Sequence, residues 1–246
     1  MTSAVRRFCT AGRSGPFDVE AFPGQQVRLY PGDNLCEKRV FAAAQFWDWA
    51  EREALAAAIS GTPGPFRFVD AGANVGLYSL AVRSLAGGGG MLGLAIEPDP
   101  TNLARLRVNL AASDASEIRV VPVALGVGGS LVLADATNRG EIRAVESGAG
   151  ETVSARPLLD LVREAGLTGI DALKIDIEGA EAPVLAAFFD QAPRALWPQL
   201  VIIEARNGEE TEALAVLRDK RYVPAGRTKL NGIFTAPRDL ICAGDG

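Results

Sequence analysis

The sequence predicts an α/β protein with a doubly wound, mainly parallel sheet and a C-terminal antiparallel hairpin strand. From residue 66 onwards, short apolar runs alternate with helical stretches, which is typical of parallel strands covered by helices on both faces. Two of these runs continue into turns that contain glycine and acids: FRFVDAGANVGLYSL (66–80) and ALKIDIEGAE (172–181). Because ligands bind outside the carboxyl ends of the strands in such sheets, both runs point to one cleft.

Composition excludes several classes of function. The chain has 246 residues, 48% of them hydrophobic, which suits one sizeable core. A net charge of −5 argues against nucleic-acid binding. The absence of histidine excludes His-based zinc sites and Ser-His-Asp triads, and three distant cysteines do not suggest a disulfide framework. No apolar run reaches the roughly 18–20 residues of a membrane span, and MTSAVRRFCT lacks the core of a signal peptide, so we expect a cytoplasmic protein without a membrane partner.

The first 60 residues are interpreted as an N-terminal extension and a possible substrate-side cap. A strand is expected at 26–30, and Asp33 or Asn34 could cap a long helix over 35–59. The segment SGTPGP (60–65) then breaks the chain. Residues 61–246 form the main predicted domain.

The remaining elements follow in alternation. Strands are expected at 66–70, 91–96, 118–123, 170–175 and 200–204, and helices at about 75–86, 100–112, 158–165, 180–189 and 209–220. The region up to residue 155 could form a small hairpin. The tail over 221–236 is interpreted as two strands, with Asn231-Gly232 as the hairpin signal.

The first glycine-containing turn favours one cofactor over another. An acid, Asp70, ends the strand before it, and Glu97 follows Gly76 by 21 positions, a spacing suited to holding ribose hydroxyls. A dinucleotide fingerprint ending at Gly76 would need glycine at 71 and 73, and both residues are alanine. Asp70 would repel a pyrophosphate but would offset the ammonium and sulfonium of S-adenosylmethionine (SAM). SAM is therefore favoured over NAD, while a plain strand–helix turn stays an alternative.

Five segments together resemble a known family. FVDAGANVGLYSL, AIEPDP (95–100), VPVALG (121–126), LKIDIEGAE (173–181) and VIIEA (201–205) follow in the order and spacing of FkbM-type, class I SAM-dependent methyltransferases. The resemblance implies a Rossmann-like methyltransferase fold, SAM as cofactor, and O-methylation of a hydroxyl on a sugar or natural product.

The resemblance also implies roles for individual residues. Contacts to the methionine part of SAM fall to Asp70, Gly72, Ala73, Asn74 and Gly76. Contacts to the ribose and adenine fall to Glu97, Pro98, Asp99, Val123 and Ala124.

The second run brings ionisable side chains to a predicted central strand. Lys174, Asp176 and Glu178 alternate, so they share one face, and burying them is costly unless they are paired or face a cleft. The plain interpretation is a Lys–Asp pair with acids in the first turn of the next helix. The functional interpretation places Asp176 beside the methyl donor and Glu178 towards the acceptor.

Deprotonation of an acceptor hydroxyl requires a base, and histidine is absent. The candidates are Asp176, Glu178 and Glu204, together with Lys174 if burial lowers its pKa. No metal ligand is assigned, although Asp176, Glu178 and Glu204 could alternatively hold Mg²⁺ or Ca²⁺. The predicted activity is O-methylation of a small-molecule or glycan acceptor. The alternatives are an NAD-dependent oxidoreductase and a non-catalytic binding module of the same fold.

Overall fold

The computed structural model describes residues 15–87, 90–134, 143–145, 150–205 and 210–237. The strands are β1 (Phe17–Phe22), β2 (Gln25–Leu29), β3 (Phe66–Ala71), β4 (Met91–Ile96), β5 (Ile118–Val121), β6 (Ala124–Leu125), β7 (Gly129–Ala134), β8 (Arg143–Val145), β9 (Gly150–Arg156), β10 (Ala172–Ile175), β11 (Leu200–Glu204), β12 (Val223–Arg227) and β13 (Asn231–Thr235). The helices are α1 (Leu35–Ala43), α2 (Trp49–Gly61), α3 (Leu77–Ala86), α4 (Pro100–Ala112), α5 (Leu158–Glu164), α6 (Glu181–Gln191) and α7 (Glu212–Asp219).

A seven-stranded sheet in the order β12-β13-β11-β10-β3-β4-β5 forms the centre of the molecule. The strands from β11 to β5 run parallel, and β13 pairs antiparallel with both β11 and β12. The predicted fold class is therefore confirmed. The chain builds β3, β4 and β5 outwards and then returns to place β10 on the other side of β3, so the topological switch lies between β3 and β10. Open α/β sheets bind their ligands at such a point.

Apolar side chains cover both faces of the sheet. One buried cluster joins strand residues such as Val69 and Leu173 to α5, α6 and α7. The other joins Phe68 and Ile202 to α3, α4 and the amino-terminal elements, including Leu29 and Leu55. The amino-terminal segment thus packs on the same core face as α3. None of the described helices combines the length and apolarity that a membrane span needs.

Of the two elements predicted for the amino-terminal segment, the strand is confirmed and the single long helix is wrong. The strand expected at 26–30 is β2, which pairs in a hairpin with β1, a strand that was not predicted. The long helix expected over 35–59 is two helices, separated by a 3-10 turn (Ala44–Phe46) and by Asp48, whose φ is 41°. Asn34 caps α1, accepting from the Glu37 amide at 3.2 Å. Tertiary contacts of Asp48, described below, override the helical propensity of this alanine-rich stretch.

The C-terminal hairpin is present, but its turn lies earlier than expected. Asn231 and Gly232 belong to β13 rather than to the turn. The Asn231 side chain donates to Glu51 of α2 at 2.7 Å, and the Thr228 hydroxyl donates to the same carboxylate oxygen at 2.8 Å. These contacts explain the position of the turn. The hairpin expected before residue 155 is part of a four-stranded sheet, β6-β9-β7-β8.

Candidate active site

The turn after β3 packs directly against the end of β10. Gly72 has a φ of +77°, and a Cβ added there would lie 1.9 Å from the Asp176 carbonyl oxygen. The Asp176 amide donates to the Ala71 carbonyl at 3.0 Å. Only glycine fits this position, because any side chain would push the two strand ends apart.

The buried acid Asp70 anchors the helix that follows the turn. Its Oδ2 accepts from the Ser79 amide at 3.1 Å and from the Ser79 hydroxyl at 2.7 Å. Burial raises the pKa of Asp70. Gly76 begins α3 with a φ of 86°. Neither Asp70 nor Gly76 lines the cavity described next, so their contact with a cofactor remains a prediction from the resemblance.

A cavity opens at the carboxyl ends of the central strands, at the topological switch. It brings together most of the predicted site residues, namely Gly72, Ala73, Asn74, Glu97, Pro98, Val123, Ala124, Lys174, Asp176, Glu178 and Glu204. Residues from five separated parts of the sequence therefore meet at one place, and they include residues of both motifs.

Glu97 is a buried carboxylate held by backbone donors. Its Oε2 accepts from the Asn74 amide at 2.7 Å, and its Oε1 accepts from the Asp99 amide at 2.9 Å. Burial raises the pKa of Glu97 to about 7, although both hydrogen bonds favour the charged form. A carboxylate has about four lone-pair positions, and the Asn102 side chain also donates to Glu97, so Glu97 can still accept from one ligand hydroxyl.

Three carboxylates gather on the other side of the cavity. Asp176, Glu178 and Glu204 each place an oxygen within 4.8 Å of the others. Asp176 Oδ1 is buried and has no hydrogen-bond partner among the described residues. Glu178 has a φ of 58°, a strained value that recurs at functional sites. Acidic clusters are common without an ion, so this one is interpreted as part of the cavity wall.

Lys174 is a buried cation between the glycine turn and the acids. Its Nζ lies 3.4 Å from Asp176 Oδ2 and donates to the Gly72 carbonyl at 3.2 Å. Burial acts to lower the pKa of Lys174, but Asp176 and Asp70 outweigh burial and raise it above its ordinary value. The condition for Lys174 as a base, a lowered pKa, is therefore not met. Lys174 instead carries a positive charge that holds the two strand ends together.

The amino-terminal segment was expected as a possible substrate-side cap, but none of its residues was assigned to the site from the sequence. Leu35, Cys36 and Arg39 of α1 line the cavity, as do Trp47 and Asp48 from the segment between the helices. Asp48 accepts from Arg39 and from the Tyr78 hydroxyl. No local motif marks these residues, because their positions depend on a break in the helix and on partners far along the chain.

The family comparison agrees with this geometry. The sequence profile described as the methyltransferase FkbM domain matches residues 70–224. The chain belongs to the FkbM methyltransferase family. The predicted family is confirmed, and the match favours a methyltransferase over an NAD-dependent oxidoreductase. Arg39 and Asp48 lie outside the segment that matches the FkbM domain.

Solved structures that are similar to this chain include the following three. The first is precorrin-6y C5,15-methyltransferase from Geobacter metallireducens GS-15, with 15% identity and a TM-score of 0.48 over 76% of this chain and 86% of that one. The second is methyltransferase FkbM from Methylobacillus flagellatus KT, with 18% identity and a TM-score of 0.48 over 82% of this chain and 55% of that one. The third is Aeropyrum pernix fibrillarin with natively bound S-adenosyl-L-methionine, with 13% identity and a TM-score of 0.45 over 75% of this chain and 74% of that one. The chain thus spans just over half of the Methylobacillus FkbM protein. A comparison with curated proteins found no match.

Proposed function

We propose that the protein transfers the methyl group of SAM to a hydroxyl of a small molecule, either a sugar or a natural product. The proposal is carried by Asp176 Oδ1, a buried carboxylate oxygen without a hydrogen-bond partner among the described residues. A buried acceptor of this kind is costly unless a ligand donor satisfies it. A hydroxyl is such a donor.

The cavity suits SAM at both ends. Gly72 lines the cavity, and its lack of a side chain lets the end of β10, with Asp176, pack directly beside it. Glu97 can accept from a ribose hydroxyl in addition to its protein donors. Val123 and Ala124 offer an apolar surface for the adenine. SAM, when bound, supplies a methyl carbon activated by a sulfonium, and the surrounding carboxylates offset that positive charge.

The residues of the chain then orient and deprotonate the acceptor. Asp176, Glu178 and Glu204 lie close enough together for one carboxylate to accept the hydroxyl proton while another holds a neighbouring hydroxyl. Alignment alone can supply several kcal/mol of the barrier, and a positioned base contributes about 10²- to 10⁴-fold. Lys174 holds Asp176 in place through the contact between Nζ and Oδ2.

The test combines binding with turnover. Calorimetry with S-adenosylhomocysteine (SAH) first measures cofactor binding, and SAH release over a panel of hydroxylated sugars and natural products then identifies an acceptor. Asp176→Asn, which preserves shape, should lower kcat by about 100-fold or more while SAH still binds. The matched control is Asp190→Asn on α6, whose carboxylate pairs with Lys220 at the surface and lies outside the cavity.

Two outcomes would contradict the proposal. Folded wild-type protein that binds no SAH would exclude SAM as cofactor. A fully active Asp176→Asn variant would remove Asp176 from proton transfer and leave the role to Glu178 or Glu204.

A further inference from the structure

A three-residue bridge, Arg39–Asp48–Tyr78, connects the amino-terminal segment to the cavity. Arg39 Nη2 donates to Asp48 Oδ1, and the Tyr78 hydroxyl donates to Asp48 Oδ2 at 2.9 Å. The Asp48 side chain is 8% exposed, so both oxygens are fixed in a buried setting. The bridge holds the Arg39 guanidinium at the cavity wall.

The backbone at Asp48 is strained, and the bridge maintains that strain. Its φ of 41° is unusual for a residue other than glycine. Asn74 and Glu178, which also have positive φ, line the same cavity. Strained residues persist where surrounding contacts fix them, and they cluster at functional sites. The conformation of Asp48 therefore indicates that the bridge belongs to the site.

The bridge lies at the end of the cavity formed by Gly72 and Asp176. The Lys174 Nζ is 5.4 Å from the centre of the Tyr78 ring, and the same ammonium contacts the Gly72 carbonyl and Asp176. The Asn34 side chain, at the start of α1, donates to Asn74 Oδ1 at 2.8 Å, which fixes the segment on the glycine turn. In the sheet, β4 separates this end from β5 and from Val123 and Ala124, which follow β5, so we assign this end to the methionine part of SAM.

Among the charged residues at this end of the cavity, Arg39 is the one suited to bind an anion. Apart from Arg39, the acidic and basic residues that line the cavity are Asp48, Glu97, Lys174, Asp176, Glu178 and Glu204. The ammonium of Lys174 already contacts Asp176 and a carbonyl. The Arg39 side chain is 33% exposed, and its contact with Asp48 engages one terminal nitrogen. A guanidinium has five N–H donors in a fork that matches a carboxylate.

We propose that Arg39 binds the carboxylate of the methionine part of SAM and that Asp48 and Tyr78 position Arg39 for this contact. The inference rests on the proposed function. The surrounding acids would repel a carboxylate elsewhere at this end, whereas a charge-assisted contact with Arg39 would stabilise it. The N-terminal segment would thereby complete the cofactor site that the FkbM-matched segment begins.

The experiment compares two ligands that differ by one group. Calorimetry measures Kd for SAH and for the SAH analogue that lacks only the carboxylate, with wild-type protein and with Arg39→Met. Arg39→Met should weaken SAH binding on the order of ten- to hundredfold and leave the affinity of the analogue unchanged. Lys38→Met is the matched control, because it removes the same charge from an exposed position on the same helix. It should leave both affinities unchanged.

Each other outcome has a definite meaning. If Arg39→Met weakens the binding of both ligands equally, Arg39 only supports the structure. If Arg39→Met leaves the SAH affinity unchanged, Arg39 binds a different anion, such as one on the acceptor. Either outcome overturns the inference. Arg39→Lys keeps the charge without the fork and should give a smaller, SAH-specific loss, which also tests the inference if Arg39→Met does not fold. Wild-type protein that binds neither ligand would instead contradict the proposed function.

Discussion

Glu97 is the residue whose ionisation should control cofactor affinity near neutral pH. Its pKa is raised to about 7 by burial, and hydroxyl donors from a ribose favour the ionised form. For a pKa of about 7, the ionised fraction falls from roughly nine-tenths at pH 8 to one-tenth at pH 6. We expect the wild-type Kd for SAH, measured by calorimetry, to weaken up to about tenfold over this range.

The control for this pH dependence is Glu97→Gln, which should bind SAH more weakly at pH 8 but change little between pH 8 and 6. The ionisation of Glu97 affects folding stability in the opposite direction to SAH binding. Because the folded pKa lies above 4.5, Glu97 contributes stability below pH 4.5 that is lost as pH rises through about 7. A wild-type affinity that is independent of pH would remove Glu97 from the ribose contact.

The residues that could be predicted from the sequence are those fixed by local motifs. The spacing between Gly76 and Glu97, and the alternation in KIDIEGAE, identified side chains that line the cavity. Asp48 could not be predicted, because its role depends on a left-handed backbone and on contacts with Arg39 and Tyr78. Composition carries no signal for such a set of distant partners.

At the scale of elements, pairing between β3 and β10 positions the two motifs. Asp171, directly before β10, accepts from Arg67 through both oxygens, at 2.9 Å from Nε to Oδ2 and 2.7 Å from Nη2 to Oδ1. The Arg67 amide also donates to Oδ2 at 2.7 Å. The Asp171 side chain is 1% exposed, so solvent cannot replace these contacts. The pair fixes the register that places Gly72 against Asp176.

Asp171→Ala should lower the free energy of unfolding by about 2–3 kcal/mol, because it leaves the Arg67 amide and guanidinium without their shared acceptor. Urea denaturation followed by circular dichroism measures the change. Asp18→Ala is the control, since Asp18 forms a similar two-point pair with Arg28 while both side chains stay exposed. Its effect on the free energy of unfolding should be much smaller than that of Asp171→Ala. Comparable losses in both variants would show that burial does not strengthen the Arg67 pair.

Helices and strands were predicted correctly where the hydrophobic pattern and the length of the segment indicated the same element. β4, β11 and α4 have the expected boundaries, because an apolar run or a capped helix defines each end locally. The helix expected over 35–59 and the turn expected at Asn231-Gly232 failed for a shared reason. In both places side-chain contacts between distant elements, through Asp48 and Glu51, override a local preference.

At the scale of the molecule, the order of the strands in the central sheet brings the separate parts of the site together. The chain order that returns β10 to the side of β3 joins the glycine turn to the second motif, while the amino-terminal segment packs on the face that carries α3. A ligand along this cavity would contact the amino-terminal segment, both central strand ends and the loop after β5 at once. Binding should therefore stabilise the fold as a whole.

SAH at about 100 times its Kd should stabilise the folded state by roughly 2.7 kcal/mol, which corresponds to about 5–10 °C in Tm for a chain of this size. Differential scanning calorimetry measures the shift as a single transition if the amino-terminal segment unfolds with the sheet. NAD⁺ at the same concentration is the control, and it should leave Tm unchanged because the turn lacks the dinucleotide glycines. A shift confined to a second, separate transition would mean that the ligand contacts only part of this core. An equal shift with NAD⁺ would restore the oxidoreductase interpretation of the site.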